Sequence, residues 1–563
     1  MSQDFDVCVI GSGAGAGPVV WSLVQAGYSV VVLEKGRWLR DADFAKDELA
    51  CSLRKFYTPK LADEQHVIED YDGQGGFNAV PTSVSGWDFW NGNIVGGATN
   101  FMSGFFHRMR PVDFRLLSEF GPIDGANMVD WPIDYTALAP YYDRVESAVG
   151  VSGRAEDAPH AAPRAHAEYP YPPTREHPIA GWIDAAGKNL GWQPMTVPRA
   201  VLSRPANERG GCSYSGYCGS YGCATGAKGS SRVALIEPAV RTGRCKLIPE
   251  AKAYRLISDD QGRVTGVDYY DRAGQAKRIG AKLYVVACQA IETARLLLSS
   301  PGPRHADGLG NNTGQVGRNL LFSAGGSGSG TFYYADLSED RAKELREFGS
   351  FVNRALSDWY VIDDPDFGRA KGGTIEFLFS HPNPVARANR LKWGEDGLVW
   401  GRPLKRRLEE GFRGERTLRF EVFCDWLPTD NCFVSLDPQV RDRWGSPVAR
   451  VRVGYHRHDL RVGQFLSERG ERLLTELGAS GVNSSVSGAP PANLVAGGCR
   501  FGTDPATSVL DPDCRIHDAD NVYVTDGSFM PTGGSVPYTW TIYANAFRVA
   551  DRIIERLGGK RSA

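Results

Sequence analysis

The chain lacks any apolar run near the ~18 residues that a helical membrane span requires. It also lacks an excess of charge: 64 lysines and arginines stand against 66 aspartates and glutamates, a formal net charge of -2. That balance removes the electrostatic footprint of a nucleic-acid binder, and no basic stripe interleaved with aromatics replaces it. Lys405, Arg406 and Arg407 make a short basic run, but Glu409 and Glu410 follow at once, as on a solvated face. The 11 cysteines are odd in number and scattered, which is not a disulfide framework. Internal repeats and low-complexity tails are missing too. The first strand begins almost at Met1, so no secretory or twin-arginine leader is expected. The expectation is a cytoplasmic protein, or a periplasmic one exported with a leader-bearing partner.

What is present is an ordinary globular composition, 42% hydrophobic and 23% charged over 563 residues. That length suits two domains, or one large domain with insertions. Cys8-Val-Ile is a short apolar run of the kind found in a buried parallel strand. Gly11, Gly13 and Ala16 then occupy the three special positions of a dinucleotide fingerprint. The first permits a tight turn, the second lets backbone approach a pyrophosphate, and the third lets helix and strand pack closely. Ala14 and Gly15 complete the loop, and a helix from Gly15 through Gln25 aims its N-terminal amides at the phosphates. Glu34 ends the next strand, where a carboxylate accepts hydrogen bonds from a ribose diol; Lys35 follows it. Near the other end of the chain, Asp520-Asn-Val-Tyr-Val-Thr-Asp526-Gly527 and a long helical stretch return to complete this site. The pairing of the two ends points to a flavin rather than to a simple nicotinamide cofactor.

The nucleotide-binding half comes in pieces: 1–150, 231–321 and 491–563. Between them lie a loop-rich insertion with a cysteine cluster, 151–230, and a second insertion, 322–490. In the second, the alternation of Gly373-Thr-Ile-Glu-Phe-Leu-Phe and Thr417-Leu-Arg-Phe-Glu-Val-Phe predicts antiparallel strands. The architecture is a doubly wound α/β domain carrying an inserted antiparallel substrate domain.

These stretches resemble the glucose-methanol-choline (GMC) oxidoreductases, most of all the bacterial branch with gluconate, glucose and fructose dehydrogenase large subunits. The matching segments are Gly11 to Glu34, Val95 to Phe114, Asp130 to Tyr142, Ala290 to Leu298, Gly314 to Asn319, and Gly497 to Ile554. The resemblance implies an α/β fold: a Rossmann-type FAD-binding domain assembled from discontinuous segments, with an inserted α+β substrate domain on an antiparallel sheet. It implies FAD with its adenosine near Glu34 and Ala253, and its flavin near Gly96, Gly97, Val536, Pro537 and Tyr538. Asp526 and Gly527 would stand at the pyrophosphate–ribityl end. Some members attach FAD through a histidine just after the glycine pair; here that position is Asn100, and the FAD is expected to be non-covalent.

The family's catalytic pair is a histidine before the Gly497-Gly-Cys-Arg-Phe-Gly motif and a histidine or asparagine before the last proline. Those positions are Leu494 and Val536 here, and neither side chain takes a proton. Asn493, Tyr538, His107, His381, His456 and Glu376 are the candidates for a displaced base. The alternatives are a substrate that needs no strong base, such as one desaturated beside an activating group, or an FAD-bearing electron-transfer or scaffold subunit. Cys212, Cys218 and Cys223, with short glycine-rich spacers, could converge as iron–sulfur ligands. Without a fourth cysteine nearby, a [3Fe-4S] cluster competes with a cysteine-rich turn packed near the flavin. The related sugar dehydrogenases carry such a cluster, which would pass electrons from FAD to an external acceptor such as a cytochrome subunit. The donor is a small molecule.

Overall fold

The computed structural model describes residues 5–49, 54, 64–72, 74–89, 91–155, 158–323, 325–380, 383–488 and 494–559. Strand β1 (Phe5–Ile10), helix α1 (Gly17–Gln25) and strand β2 (Val30–Glu34) form a parallel unit in which Val7 pairs with Val30 and Ile10 with Leu33. Val7, Cys8, Val9 and Val30 to Val32 are fully buried, as they must be where layers cover both faces of a sheet. Pro18 sits in the first turn of α1, where a missing amide costs no intrahelical bond. Strand β3 (Cys245–Pro249) lies parallel beside β2, and strand β4 (Ala281–Val286) parallel beside β1. Helix α2 (Ala290–Leu298) starts where Gln289 caps it, its Oε1 accepting the Ile291 amide at 2.9 Å.

The second sheet is antiparallel throughout and has six strands. Strands β5 (Gly326–Tyr333), β6 (Gly373–Phe379) and β7 (Glu415–Cys424) are its centre. The order runs Ser480–Val486, β5, β7, β6, Arg354–Leu356, Met195–Thr196. The last of these comes from the stretch 151–230, which also supplies a helix, Ile179–Leu190. A two-residue strand is too short to leave a periodic signal.

Side chains alternate across β7. Leu418, Phe420 and Val422 face helix α3 (Arg457–Glu476), whose Gly470 has no room for a Cβ because the Phe420 ring lies 2.7 Å from its place. Arg419, Glu421 and Phe423 therefore look the other way, toward the nucleotide-binding lobe. Strand β8 (Val522–Val524) then returns to pair parallel with β4, completing a five-stranded sheet in the order β8-β4-β1-β2-β3. Helix α4 (Thr539–Arg556) follows and is buried along most of its length.

Candidate active site

The loops at the carboxyl ends of β1, β2, β4 and β8 open on one cavity of about 880 Å³, which Arg419, Glu421 and Phe423 of the antiparallel sheet wall on another side. Gly11 needs its freedom: its φ is +98°, and a Cβ would stand 2.1 Å from the Ala287 carbonyl oxygen. Gly13 has no atom within 4 Å of where a Cβ would stand, so its backbone is open to the cavity. Gly15 presses on the returning chain, its missing Cβ 2.6 Å from the Asp526 amide, and Thr525 donates its hydroxyl to the Gly15 carbonyl at 2.8 Å. The two ends of the chain thus meet by direct contact, and in the sheet both β1 and β8 pair with β4.

Ser12 ties three parts together. Its hydroxyl donates to Glu34 Oε2 and accepts the Gly96 amide at 2.9 Å, while Glu34 Oε1 accepts the Gly36 amide at 2.7 Å. Burial pushes the Glu34 carboxyl above its ordinary value against those hydrogen bonds. Asp526 is held likewise: Oδ2 accepts Thr293 Oγ1 at 2.5 Å and the Gln289 amide at 3.1 Å, and Oδ1 accepts the Ser528 amide at 2.9 Å. Gln289 itself has φ +80° and ψ 145°, a region that is nearly glycine-only. Its amide bond to Asp526 and its Nε2 bond to the Phe89 carbonyl at 3.2 Å hold it there.

Beside Ala253 the cavity wall is charged. Lys35 pairs with Glu64 at 2.5 Å, His66 Nε2 lies 2.8 Å from Glu292 Oε1, and Asp442 takes both Arg295 at 2.6 Å and Lys252. Burial opposes the Glu292 charge, but Lys35, Arg295 and His66 outweigh it and hold the carboxyl well below its usual range. For Lys252 burial wins, with help from Arg295 and Lys35, and its pKa falls to about 8.

On the remaining side, Met102 to Phe105, Leu494, Pro537 and Tyr538 line the cavity. The approach to Pro537 is anchored to the inserted lobe by a buried network. Lys371 Nζ donates to Ser535 Oγ at 2.5 Å and lies 3.1 Å from Asp113 Oδ1, and the Gly534 amide donates to Asp425 Oδ1 at 2.5 Å.

Of the residues expected around a cofactor, Gly11, Gly13, Ala14, Gly15, Glu34, Lys35, Gly97, Ala253, Asp526, Gly527, Pro537 and Tyr538 line the cavity. Ala16, Gly96, Asn100 and Val536 stand outside that lining. Asn100 is buried behind the loop, its Nδ2 donating to the carbonyls of Val95 at 3.0 Å and Gly97 at 2.9 Å. It shapes the Gly96–Gly97 turn from behind. Val536 is fully buried.

The candidate bases fare differently. Asn493 and His381 lie outside the described residues. Tyr538 donates its hydroxyl to the Phe322 carbonyl at 2.6 Å. His107 is buried off the cavity, Nε2 2.7 Å from Glu376 Oε1, a close approach without hydrogen-bond alignment. His456 caps α3 through Nδ1, with Nε2 2.9 Å from the Asp124 carbonyl. Sequence reasoning passed over Arg419 and Glu421. Both sit at polar positions of an alternating strand, a pattern that reads as a solvent face.

Cys212, Cys218 and Cys223 line a separate cavity of about 120 Å³, with Lys46 and Arg199 in its wall. Among the described residues no group of three or more His, Cys, Asp or Glu side chains is placed to hold a metal ion. The Cys218 thiol is 3.7 Å from the Ser103 carbonyl, Cys223 Sγ is 3.6 Å from Thr225 Oγ1, and Cys212 Sγ accepts the Tyr214 amide at 3.4 Å. The iron–sulfur expectation therefore finds no support, and no step is built on it.

The cavity beside the Gly11–Gly15 loop suits a dinucleotide. It has the size of a cofactor site, an open backbone at Gly13, the N-terminus of α1 without a side-chain cap, and an acceptor carboxylate at Glu34. No helix among the described residues is long and apolar enough to cross a membrane.

Comparison with known proteins agrees with this geometry. Two family models, both described as GMC oxidoreductase, match residues 88–323 and 428–546. The chain is 34% identical to 6'''-hydroxyparomomycin C oxidase of Streptomyces lividus, over 99% of this chain and 93% of that protein. It is 31% identical to 2-methyl-1,2-propanediol dehydrogenase of Mycolicibacterium austroafricanum, over 98% and 95%. Among solved structures it is similar to pyridoxine 4-oxidase from Mesorbium loti, with a TM-score of 0.60, 15% identity, and 98% and 99% of the two chains covered. The shared fold is a two-lobed one: a Rossmann-type domain of discontinuous segments and an inserted β-rich lobe.

Proposed function

Because the chain belongs to the GMC oxidoreductase family, we propose that it is an FAD-dependent dehydrogenase oxidising a CH–OH group of a sugar, glycoside or related alcohol. Within the family we set it near the bacterial enzymes that act on hydroxyl-bearing donors. The names of its relatives, a hydroxyparomomycin oxidase and a diol dehydrogenase, support that reading. FAD, when bound, supplies the acceptor for the hydride that leaves the donor carbon.

The chain's own residues do the remaining work. The amides of the Gly11–Gly15 loop and the start of α1 hold a pyrophosphate, and Glu34 accepts from a ribose hydroxyl. Met102 to Phe105 and Pro537 shield the reacting end from water. Asn100, at the position where some members carry a histidine link, suits non-covalent attachment. The observation that carries the reading is the continuity of one cavity from the Gly13 loop to the polar face of β7.

Anaerobic titration of the flavin-loaded protein with glycerol, fructose and glucosamine tests it: bleaching of the flavin by at least one is expected. Bleaching only by enone-type compounds would replace the reading with desaturation. Failure of every donor would leave an electron-transfer or scaffold role. Release of intact FAD on denaturation is the expected sign of non-covalent binding.

A further inference from the structure

We propose that Glu421 is the catalytic group that takes the proton of the donor's hydroxyl, with Arg419 holding the same oxygen. The proposal rests on the reading of the chain as an alcohol oxidoreductase and supplies the base which Leu494 and Val536 cannot provide.

Glu421 and Arg419 stand two residues apart on the same face of β7, and both line the cavity. Among the described residues neither side chain makes a hydrogen bond or an ion pair. That sets Glu421 apart from every other carboxylate near the site. Glu34 and Asp526 each accept hydrogen bonds from neighbouring amides and hydroxyls. Glu376 is fully buried, lies off the cavity and faces His107 at 2.7 Å. Tyr538 reaches the cavity, but its hydroxyl is bound to the Phe322 carbonyl. An unpaired carboxylate in a cavity wall is a costly arrangement unless a ligand completes it. An unpaired guanidinium alongside offers donors to the same oxygen.

The reaction balances. The donor's O–H bond breaks and its proton goes to a Glu421 oxygen. The C–H bond breaks with its electron pair, which leaves as hydride to the oxidised flavin, and the C=O bond forms. The donor loses two electrons and the flavin gains them. Burial pushes the Glu421 carboxyl above its ordinary value; Arg419 opposes this, and Glu376, its cross-strand partner on β6, adds to it. His107 and Arg199 act on Glu376 from behind. The base works ionised, so the rate should fall as pH drops through that raised pKa.

The test compares flavin-loaded wild type with Glu421→Gln and Glu421→Asp, using whichever of glycerol, fructose or glucosamine bleaches the wild type fastest. Glu421→Gln should bind FAD normally, reduce it about 10²–10⁴-fold more slowly, and lose the acid limb of the pH profile. Glu421→Asp should recover part of the rate. A second measurement needs no turnover: infrared titration of the flavin-free protein should reveal a carboxylic-acid band, titrating above the ordinary glutamate range, that Glu421→Gln lacks. A Glu421→Gln enzyme within a few-fold of wild type, with its acid limb intact, overturns the proposal alone, as does a titration without that band. A wild type bleached by none of the three probes overturns the functional reading and the proposal with it.

Discussion

Gly15 and Gly13 stand two residues apart in one loop, and the structure assigns them opposite sensitivities. A Cβ on Gly15 would lie 2.6 Å from the Asp526 amide nitrogen and the Thr525 carbonyl oxygen, and 2.7 Å from Asp526 Cα. All three are backbone atoms, so the clash is relieved only by moving α1 away from the chain after β8. Overpacking of this kind costs about 1–3 kcal/mol. Displacing the Thr525 hydroxyl from the Gly15 carbonyl removes a hydrogen bond worth about 0.5–1.5 kcal/mol. The sum, about 1.5–4.5 kcal/mol, set against an unfolding entropy of about 2.1 cal/mol/K per residue over 563 residues, corresponds to a Tm lowered by about 1–4 °C. Gly13→Ala meets no atom within 4 Å and should leave the flavin-free Tm unchanged. Its methyl group instead enters the space where backbone meets the pyrophosphate. Losing one charge-assisted hydrogen bond there, about 1.5–3 kcal/mol, weakens FAD binding by about 10–150-fold. Calorimetry on the flavin-free proteins, since bound ligand itself raises Tm, together with FAD titration, separates the two effects. A Gly15→Ala protein melting within about 0.5 °C of wild type, or a Gly13→Ala protein melting as low as Gly15→Ala should, refutes the reasoning.

Removing His107 as His107→Leu leaves the Glu376 carboxylate buried, with neither oxygen hydrogen-bonded among the described residues. Stability in urea should fall by about 3–5 kcal/mol, and a loss below about 1 kcal/mol would contradict the pairing. Glu292, held well below the ordinary glutamate value, contributes stability at neutral pH that is lost as pH falls through its lowered pKa. Glu292→Gln should flatten that acid dependence, and an unchanged acid-melting curve would count against it. Burial raises the Cys223 thiol, but Lys228 outweighs it and holds the group below its ordinary value, whereas burial pushes Cys212 up to about 11. Iodoacetamide at mildly alkaline pH should label Cys223 before Cys212, read by peptide mass spectrometry. Resistance of both, with iron and labile sulfide co-purifying, would reverse the conclusion drawn from the thiols.

Sequence alone determined the elements that local physics dictates. An apolar triplet before a glycine-spaced turn, with an acid at the end of the next strand, reads directly as β1, α1, β2 and Glu34, because burial on two faces and close backbone approach leave few choices of residue. Period-two alternation likewise foretold β6 and β7. Alternation says that a strand has two faces, but it does not say what each face meets. Helix α3 covers the side of Phe420, and the nucleotide lobe leaves a cavity on the side of Glu421; both come from residues far off in the chain. For the same reason Asn100, adjacent to the glycine pair in sequence, turned out to brace the loop from behind. The left-handed-side conformation of Gln289 depends on Asp526 and Phe89, partners that only the folded chain brings within reach. Local patterning thus set the pieces and their apolar faces, while the packing of distant segments decided which polar side chains were left unpaired beside a cavity.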